Sequence, residues 1–559
     1  SLVEQQVSES KTVEETDKRI RILIRSADFL WKFDEQTARA YFTEAFKVSN
    51  ERFLEKGFEE KKAGEKERLI RSQLPDHRLE VIRAIAKRDS EWAKNLSEQI
   101  LKEYEKSVQD RTNSFNETRE LNDLLNLAKE NVKTKPGLSW HLFRRLMNYR
   151  LYFHWYCVLF SFSEDNQEFA DALYAELLQN YRTETPRRLL FLSAYPFAGQ
   201  RIFGIDKYQF GASVPKNLIP KPNLQRQFFE TFFQRARIFA NNPDDINRAP
   251  DQHRQPEALY IFSALQEFEP IIIQNFPNLL QRFSEARALA NSLMNEENRK
   301  KLGEREKIFE NIDAGFDKRL EITKKAESDG KLTDYMILGL VTSAKKEEEY
   351  KQIESWLNKI QEEETRKDTA NYFYFLRSKL AIKEGRFDDA RKYALKIPEI
   401  EHRAVLFFDI AGEQLKNVNE TTMVLDTLNE VSKIARQADN TVEKAQVLFG
   451  LAVMYEKVNH TMALDELAEA IRIVNQLENP NIFSSSVIRQ ITGKDFGFFA
   501  SYSTPGFNME TTFQEISKKD FELSLAHAKS FNDKYFRTLA VLAVAKNCVE
   551  NASKKKAKG

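Results

Sequence analysis

His154 and Cys157 stand three residues apart in the most apolar and aromatic stretch of the chain, NYRLYFHWYCVLFSF, residues 148–162. On a helix that spacing puts both side chains on one face, where an imidazole and a thiolate would serve as two metal ligands. Zinc takes three or four ligands, and the next donor, His141, lies thirteen residues earlier. No HxxxH, HExxH, CxxC or CxxCH occurs in the chain. The pair therefore reads as buried, inert core. Glu399 and His402 (EIEH) have the Glu-x-x-His spacing of di-iron bundles. Such a centre needs a second copy of the motif and two more glutamates on facing helices. Here the tetrapeptide follows Pro398, at a turn, and a surface position is expected. Asp244 and Asp245 lack the helical DDxxD spacing that holds magnesium and diphosphate, and they read as an Asx-type turn. There is no P-loop, dinucleotide fingerprint or GxSxG, and the seven histidines suggest no triad. These residues assign no catalytic group, no cofactor and no metal.

The elements that carry them come from composition and period. At 559 residues the chain exceeds one compact core, and its length suggests about three or four units. Basic and acidic residues balance at 86 and 85, without the basic excess that phosphate binding rewards, so nucleic acid is excluded as the default partner. With 17 glycines and 15 prolines there are few helix breakers, while 42 phenylalanines supply large side chains for packing helix on helix. Two cysteines far apart make no disulfide framework. Only thirteen residues separate Arg150 from Glu164, short of the roughly 20 a spanning helix needs. The stretch at 258–276 is broken by Glu267, Glu269 and Pro270, so no transmembrane segment is expected. The chain opens at Ser1 without a methionine, which leans toward export after signal removal, with a cytoplasmic location the alternative.

Residues 17–50 read as two amphipathic helices with a turn near Phe33, and the second carries Ala38, Phe42 and Ala45 on one face. The small-large-small stripe returns at Ala390, Tyr393 and Ala394 after a Gly385 turn, and at Ala463, Leu467 and Ala470. Residues 388–411 also parallel 520–545, with Arg403 matching Arg537 and Ala411 matching Ala545. Residues 74–93 form a half-repeat of similar character. Helix pairs of this kind bury their apolar face only by stacking. Mixed charge runs such as KKEEEYK, residues 345–351, read as solvated helix faces.

In Ile22, Ser26, Phe29, Ala38, Phe42 and Ala45, and again in Ser378, Gly385, Phe387 and Ala390, the sequence resembles the tetratricopeptide-like repeat superfamily. The match is loose and covers about a quarter of the chain, with Phe33 standing where the first unit's turn glycine belongs. The layout also resembles uncharacterised bacterial helical-repeat proteins. The resemblance implies an all-α solenoid of stacked antiparallel helix pairs and carries no activity.

The expected organisation is helical repeats over 1–194, an irregular aromatic, glycine and proline insert over 195–222, and a middle helical region over 223–330. Repeats then occupy 331–480, a second irregular aromatic loop 481–513, and a terminal hairpin with a short basic tail 514–559. The leading function is a non-catalytic scaffold binding a protein or peptide, or associating with itself. Its contact residues would be Tyr195, Phe197, Phe203, Tyr208, Phe210, Phe496, Phe498, Phe499, Tyr502 and Phe507. An alternative has these rings merely plug the solenoid. Two other readings stay open: a structural subunit of a larger assembly, and an all-α enzyme with a site near His141, Arg144, Arg145 and His154.

Overall fold

The computed structural model describes residues 15–56, 76–108, 116–149, 155–198, 214–240, 257–298, 300, 315–416, 421–494 and 496–556. The described elements are α-helices, short 3-10 turns and one β-hairpin, and they group into two compact units. One unit joins Ser1–Leu74 to Ala314–Gly559, and the other is Pro75–Asp313. Within this segment the described residues 15–56 pack with the C-terminal part of the chain.

The chain begins with the pair α1 (Thr16–Leu30) and α2 (Glu35–Lys56). Ala38, Phe42 and Ala45 are fully buried, as their stripe requires, because two methyl-sized side chains let the helices approach and one ring fills the groove between them.

The unit over Pro75–Asp313 holds α3 (His77–Ala86), α4 (Ser90–Val108), α5 (Asn116–Glu130), α6 (Pro136–Leu146), α7 (Trp155–Asp165) and α8 (Gln167–Asn180). It continues with α9 (Pro186–Ser193), α10 (Pro222–Ala240), α11 (Glu257–Asn275) and α12 (Leu280–Leu293). Most of these helices pack on the next one or two in sequence, the grammar of stacked pairs. Cys157 is buried on α7 and burial pushes its thiol up, in line with an inert core residue. His154 lies outside the described residues. Among the described residues no helix is long and apolar enough to cross a membrane.

The second part of the other unit runs α13 (Phe316–Ser328), α14 (Asp334–Ser343), α15 (Glu347–Leu357), α16 (Glu363–Lys383), α17 (Phe387–Ala394), α18 (Ile400–Gln414) and α19 (Thr421–Gln437). Then follow α20 (Val442–Tyr455), α21 (His460–Val474), strands β1 (Ser486–Thr492) and β2 (Gly497–Ser503), α22 (Met509–Ile516), α23 (Phe521–Lys529) and α24 (Lys534–Lys556). From α14 on, the first helices of successive pairs, α14, α16, α18, α20, α22 and α24, each touch the next. The second helices hold mainly to their own partners and to the first helix that follows. The first helices therefore form one continuous layer of the stack, and the second helices flank it. Helix α1 then packs on α24, with Lys546 3.7 Å from Asp28 and Arg25 2.9 Å from Glu510, and places the N-terminal pair at the far end of the stack.

Local chemistry sets the joints. Gly385 ends α16 at φ +74, the left-handed conformation in which Arg386 N–H reaches the Ala381 carbonyl at 2.9 Å. Thr441 and Asn459 cap α20 and α21 by accepting from Lys444 and Met462 N–H. A second device recurs. A basic side chain near the start of a first helix donates to the carbonyl six residues earlier, where the preceding second helix has just ended. Arg366 reaches Ile360 at 3.4 Å, Arg403 reaches Ile397 at 3.0 Å, Lys444 reaches Ala438 at 2.8 Å and Arg537 reaches Phe531 at 3.0 Å. A cation there neutralises the negative end of a helix and satisfies an orphan carbonyl. The matched Arg403 and Arg537 of the sequence parallel are two of these four.

Candidate interaction site

Within the segment expected as an irregular aromatic loop over 481–513, strands β1 and β2 form a hairpin. Residues 486–492, SVIRQIT, alternate in burial with period two, and so do residues 497–503, GFFASYS. The strands pair antiparallel from Ser486–Ser503 to Thr492–Gly497 without a bulge. Gly493 N–H donates to the Phe496 carbonyl at 2.9 Å and closes the turn. A Cβ on residue 493 would lie 2.2 Å from the Phe496 ring, so any larger residue there must displace the ring.

One face of the hairpin lies on the layer of first helices. Thr365, Thr369, Tyr372, Phe375 and Lys379 occupy one side of α16 at helical spacing. Thr365 Oγ1 donates to the Thr492 carbonyl at 2.7 Å, Tyr372 meets the Phe498 ring at 5.1 Å, and Phe375 meets Tyr502 at 4.4 Å. Lys379 stands 5.8 Å over the Tyr502 ring and pairs with Asp409 at 2.5 Å. The turn reaches α14, where Tyr335 and Phe496 are 5.4 Å apart. At the other end Phe507 is buried against Phe408 of α18 and against α20. There a Cβ on Gly450 would sit 2.6 Å from the Phe408 ring and 2.9 Å from the Phe507 ring.

Arg489 supplies the polar anchor. Its guanidinium is 4% exposed and grips Glu399 with two parallel bonds of 2.7 and 3.1 Å, while Asn371 donates to the same carboxylate at 3.2 Å. Burial pushes the Glu399 carboxyl up, and the Arg489 bonds outweigh it, so the group sits below its ordinary range. The expected surface position of EIEH is therefore corrected: Glu399 is half-buried beneath β1, and His402 is buried against Phe375. The junction is incompletely satisfied. Arg489 Nε, Thr369 Oγ1 and His402 Nε2 are buried without a hydrogen-bond partner among the described residues.

The residues singled out from sequence fall into separate groups. Phe203, Tyr208 and Phe210 lie outside the described residues. Tyr195 and Phe197 are core: Tyr195 stacks on Tyr174 at 5.4 Å and donates to Asp171 at 2.9 Å, and Phe197 packs on Phe228, Phe229 and Phe268. Phe496, Phe498, Tyr502 and Phe507 fix the hairpin to the helices, leaving Phe499, 66% exposed, as the one ring of the hairpin facing solvent. Ile488, 45% exposed on the same outer face, went unnoticed, as did Arg489. The alternation of SVIRQIT before a glycine was the available signal.

Beside the hairpin a cavity of about 320 Å³ opens between α18 and α20. Val405, Phe408, Val453 and Met454 give it an apolar floor, and Asp409, Lys457 and Ser503 stand at its rim. Lys457 Nζ lies 3.6 Å from Met454 Sδ and makes no ion pair among the described residues.

The other unit has its own polar cluster where a catalytic site was considered. Glu98 on α4 accepts from His141 Nε2 at 2.7 Å and from Arg145 Nε at 2.9 Å. Arg145 and Tyr149 both reach Glu105, at 3.3 and 2.7 Å. Burial raises Glu98, but Arg145 and His141 outweigh it and hold the carboxyl below its usual range. Arg144 turns away to Glu176 at 3.2 Å and stacks on Trp140. It lines a separate cavity of about 610 Å³ with Glu176, Asn180 and Arg182, and neither His141 nor Arg145 borders it. Among the described residues no three His, Cys, Asp or Glu side chains gather as a metal would need.

The run KKEEEYK also departs from a purely solvated face. Glu348 and Lys351 are exposed, but Glu347 is half-buried, bound by Arg377 Nε at 3.0 Å and by the Tyr393 hydroxyl at 3.2 Å. It ties α15 to α16 and α17.

No family model matches this sequence, and no curated protein does. A comparison with solved structures aligns 100% of this chain with 86% of a chain in a homology model of the full-length AP-3 complex in an intermediate open conformation, at 12% identity and a TM-score of 0.24. A superposition that poor carries no argument about this chain.

Proposed function

We propose that the chain is a non-catalytic helical-repeat scaffold that binds a protein partner on the first-helix layer of its larger unit. One observation carries this reading: the layer holds an extended hairpin along α16 and beside it keeps an apolar cavity with an unpaired lysine at the rim. Surfaces of this kind, wide, ordered and partly apolar, suit recognition of a polypeptide. The small-large-small stripes on α2, α17 and α21, each the second helix of its pair, support the tetratricopeptide-like resemblance. In the other unit, His141, Arg145, Glu98 and Glu105 bind one another, which favours a structural strap over a reaction centre.

Affinity purification of the chain from its native cells, beside the variant Val453→Arg, tests the reading. The unmodified chain should retain a stoichiometric protein partner, and a charge on the cavity floor should remove it. A chain that carries no partner, or a variant that keeps the same one, overturns the assignment of this surface. Purification as a discrete homo-oligomer without a second component would favour the assembly-subunit reading instead.

A further inference from the structure

Strand β2 has a free edge whose composition is unusual for one left in solvent. The hydrogen bonds Gly493 N–H to Phe496 O and Thr504 N–H to Ser485 O bracket the ladder. In an antiparallel pair such bonded positions alternate with unbonded ones. Phe498, Ala500 and Tyr502 therefore spend their backbone groups on β1, while Phe499, Ser501 and Ser503 aim theirs outward. No hydrogen bond from the described residues meets those outward groups. The equivalent edge of β1 is partly covered, since Thr365 of α16 donates to the Thr492 carbonyl. Natural edge strands are protected by charge, proline, bulges or shortness. Over seven residues β2, GFFASYS, has none of these protections.

The free edge also leads somewhere. Ser503 lies at its end and at the rim of the 320 Å³ cavity between α18 and α20. That volume, floored by Val405, Phe408, Val453 and Met454, takes one large apolar side chain. At the rim Asp409 is already paired with Lys379, which leaves Lys457 as the charge without an ion pair among the described residues.

Resting on the proposed scaffold function, we infer that β2 is a strand-addition site for an extended, acidic-apolar segment of a partner protein. The segment pairs its backbone with Phe499, Ser501 and Ser503, inserts an apolar side chain between α18 and α20, and turns a carboxylate to Lys457. Main-chain bonds supply affinity in such a mode, and the pocket and the lysine supply selectivity.

The probe is a displayed library of random decapeptides selected on the full chain, followed by binding titrations with the enriched peptides. The expected winners carry a large apolar residue near an acidic one. Ser501→Pro removes one outward N–H and leaves every bond of the β1–β2 ladder in place, and it should weaken binding about tenfold or more. Gln490→Pro makes the same change on the outward edge of β1 and should leave binding unaltered, which separates edge loss from a disturbed hairpin. Lys457→Glu should weaken the acidic peptides several-fold. Equal affinity for Ser501→Pro and the unmodified chain overturns strand addition, and so does the absence of any enriched peptide. In the first case, sensitivity of the same peptides to Val453→Arg would leave the scaffold reading standing. If instead the unmodified chain is a dimer and Ser501→Pro is a monomer, the edge serves a second copy, and the partner-segment proposal fails.

Discussion

Two glutamates, Glu98 in one unit and Glu399 in the other, meet an arginine under similar burial and do different work. Glu98 binds two cations, His141 and Arg145, and Arg145 extends to Glu105, so the strap between α4 and α6 has a second partner at each position. Glu399 is hydrogen-bonded by Arg489 and Asn371, and the same junction holds three buried polar atoms without partners among the described residues. Redundant pairing makes a joint that tolerates loss. A single clamp over unsatisfied groups makes one that releases as a unit, since each unpaired buried group lowers the cost of opening. The hairpin thus has one charged clamp, set among the ring contacts of Phe496, Phe498 and Tyr502.

Arg489→Ala separates the two joints most sharply. It leaves a half-buried carboxylate nearly alone and should cost about 2–3 kcal/mol, against about 1 kcal/mol for Arg145→Ala, where His141 still serves Glu98. Hydrogen exchange of the amides in 486–503 and of those in α4 and α6 reads each locally. Equal losses would erase the distinction. Gly450→Ala probes the hairpin root with no change of charge. Its methyl would press on the Phe408 and Phe507 rings, and overpacking of that kind costs about 1–3 kcal/mol. Unchanged exchange across 503–516 would show that the root has room to give.

Acid is the mildest lever. Glu98 and Glu399 are both held below the ordinary carboxylate range in the folded chain, so the unfolded chain binds more protons than the folded one as the pH drops. Their contribution is complete above the unfolded carboxylate pKa and is lost as pH falls through the lower folded values. Hairpin protection should therefore begin to fall below about pH 4.5, and with one hydrogen-bonded cation on Glu399 against two on Glu98 it should fall further than that of the α4–α6 strap. A hairpin indifferent to acid down to pH 3, a range set by ordinary carboxylate values near 4, would remove Glu399 from the account.

The helix pairs were legible because their packing is local. Ala38, Phe42 and Ala45 lie within two turns, as do Ala463, Leu467 and Ala470, and each triplet is fully buried where its period placed it. The hairpin was not legible as an interface because its partners are remote. Arg489 and Glu399 are 90 residues apart, and Tyr502 and Tyr372 are 130. No window of sequence shows that a strand-like SVIRQIT has a carboxylate waiting beneath it. Glycine and aromatic content around 492–507 read as irregularity, although Gly493 admits the Phe496 ring and Gly450 admits Phe408 and Phe507. Tyr195 and Phe197 looked like contact residues for the same reason: a ring beside proline and glycine says that it must be buried, not against what.

The docking of α1 on α24 has a consequence for the order of events at synthesis. A ribosome adding roughly 5–20 residues per second delivers α1 half a minute to two minutes before the helix it rests on. Asp28 of α1, which lies 3.7 Å from Lys546 of α24, must wait for that partner through the making of an entire intervening unit. During that interval α1 lacks the contact it makes with α24, and apolar surface left open in such an interval is what chaperones bind. The unit closes only when its last helix arrives, so the first pair made is among the last to be placed.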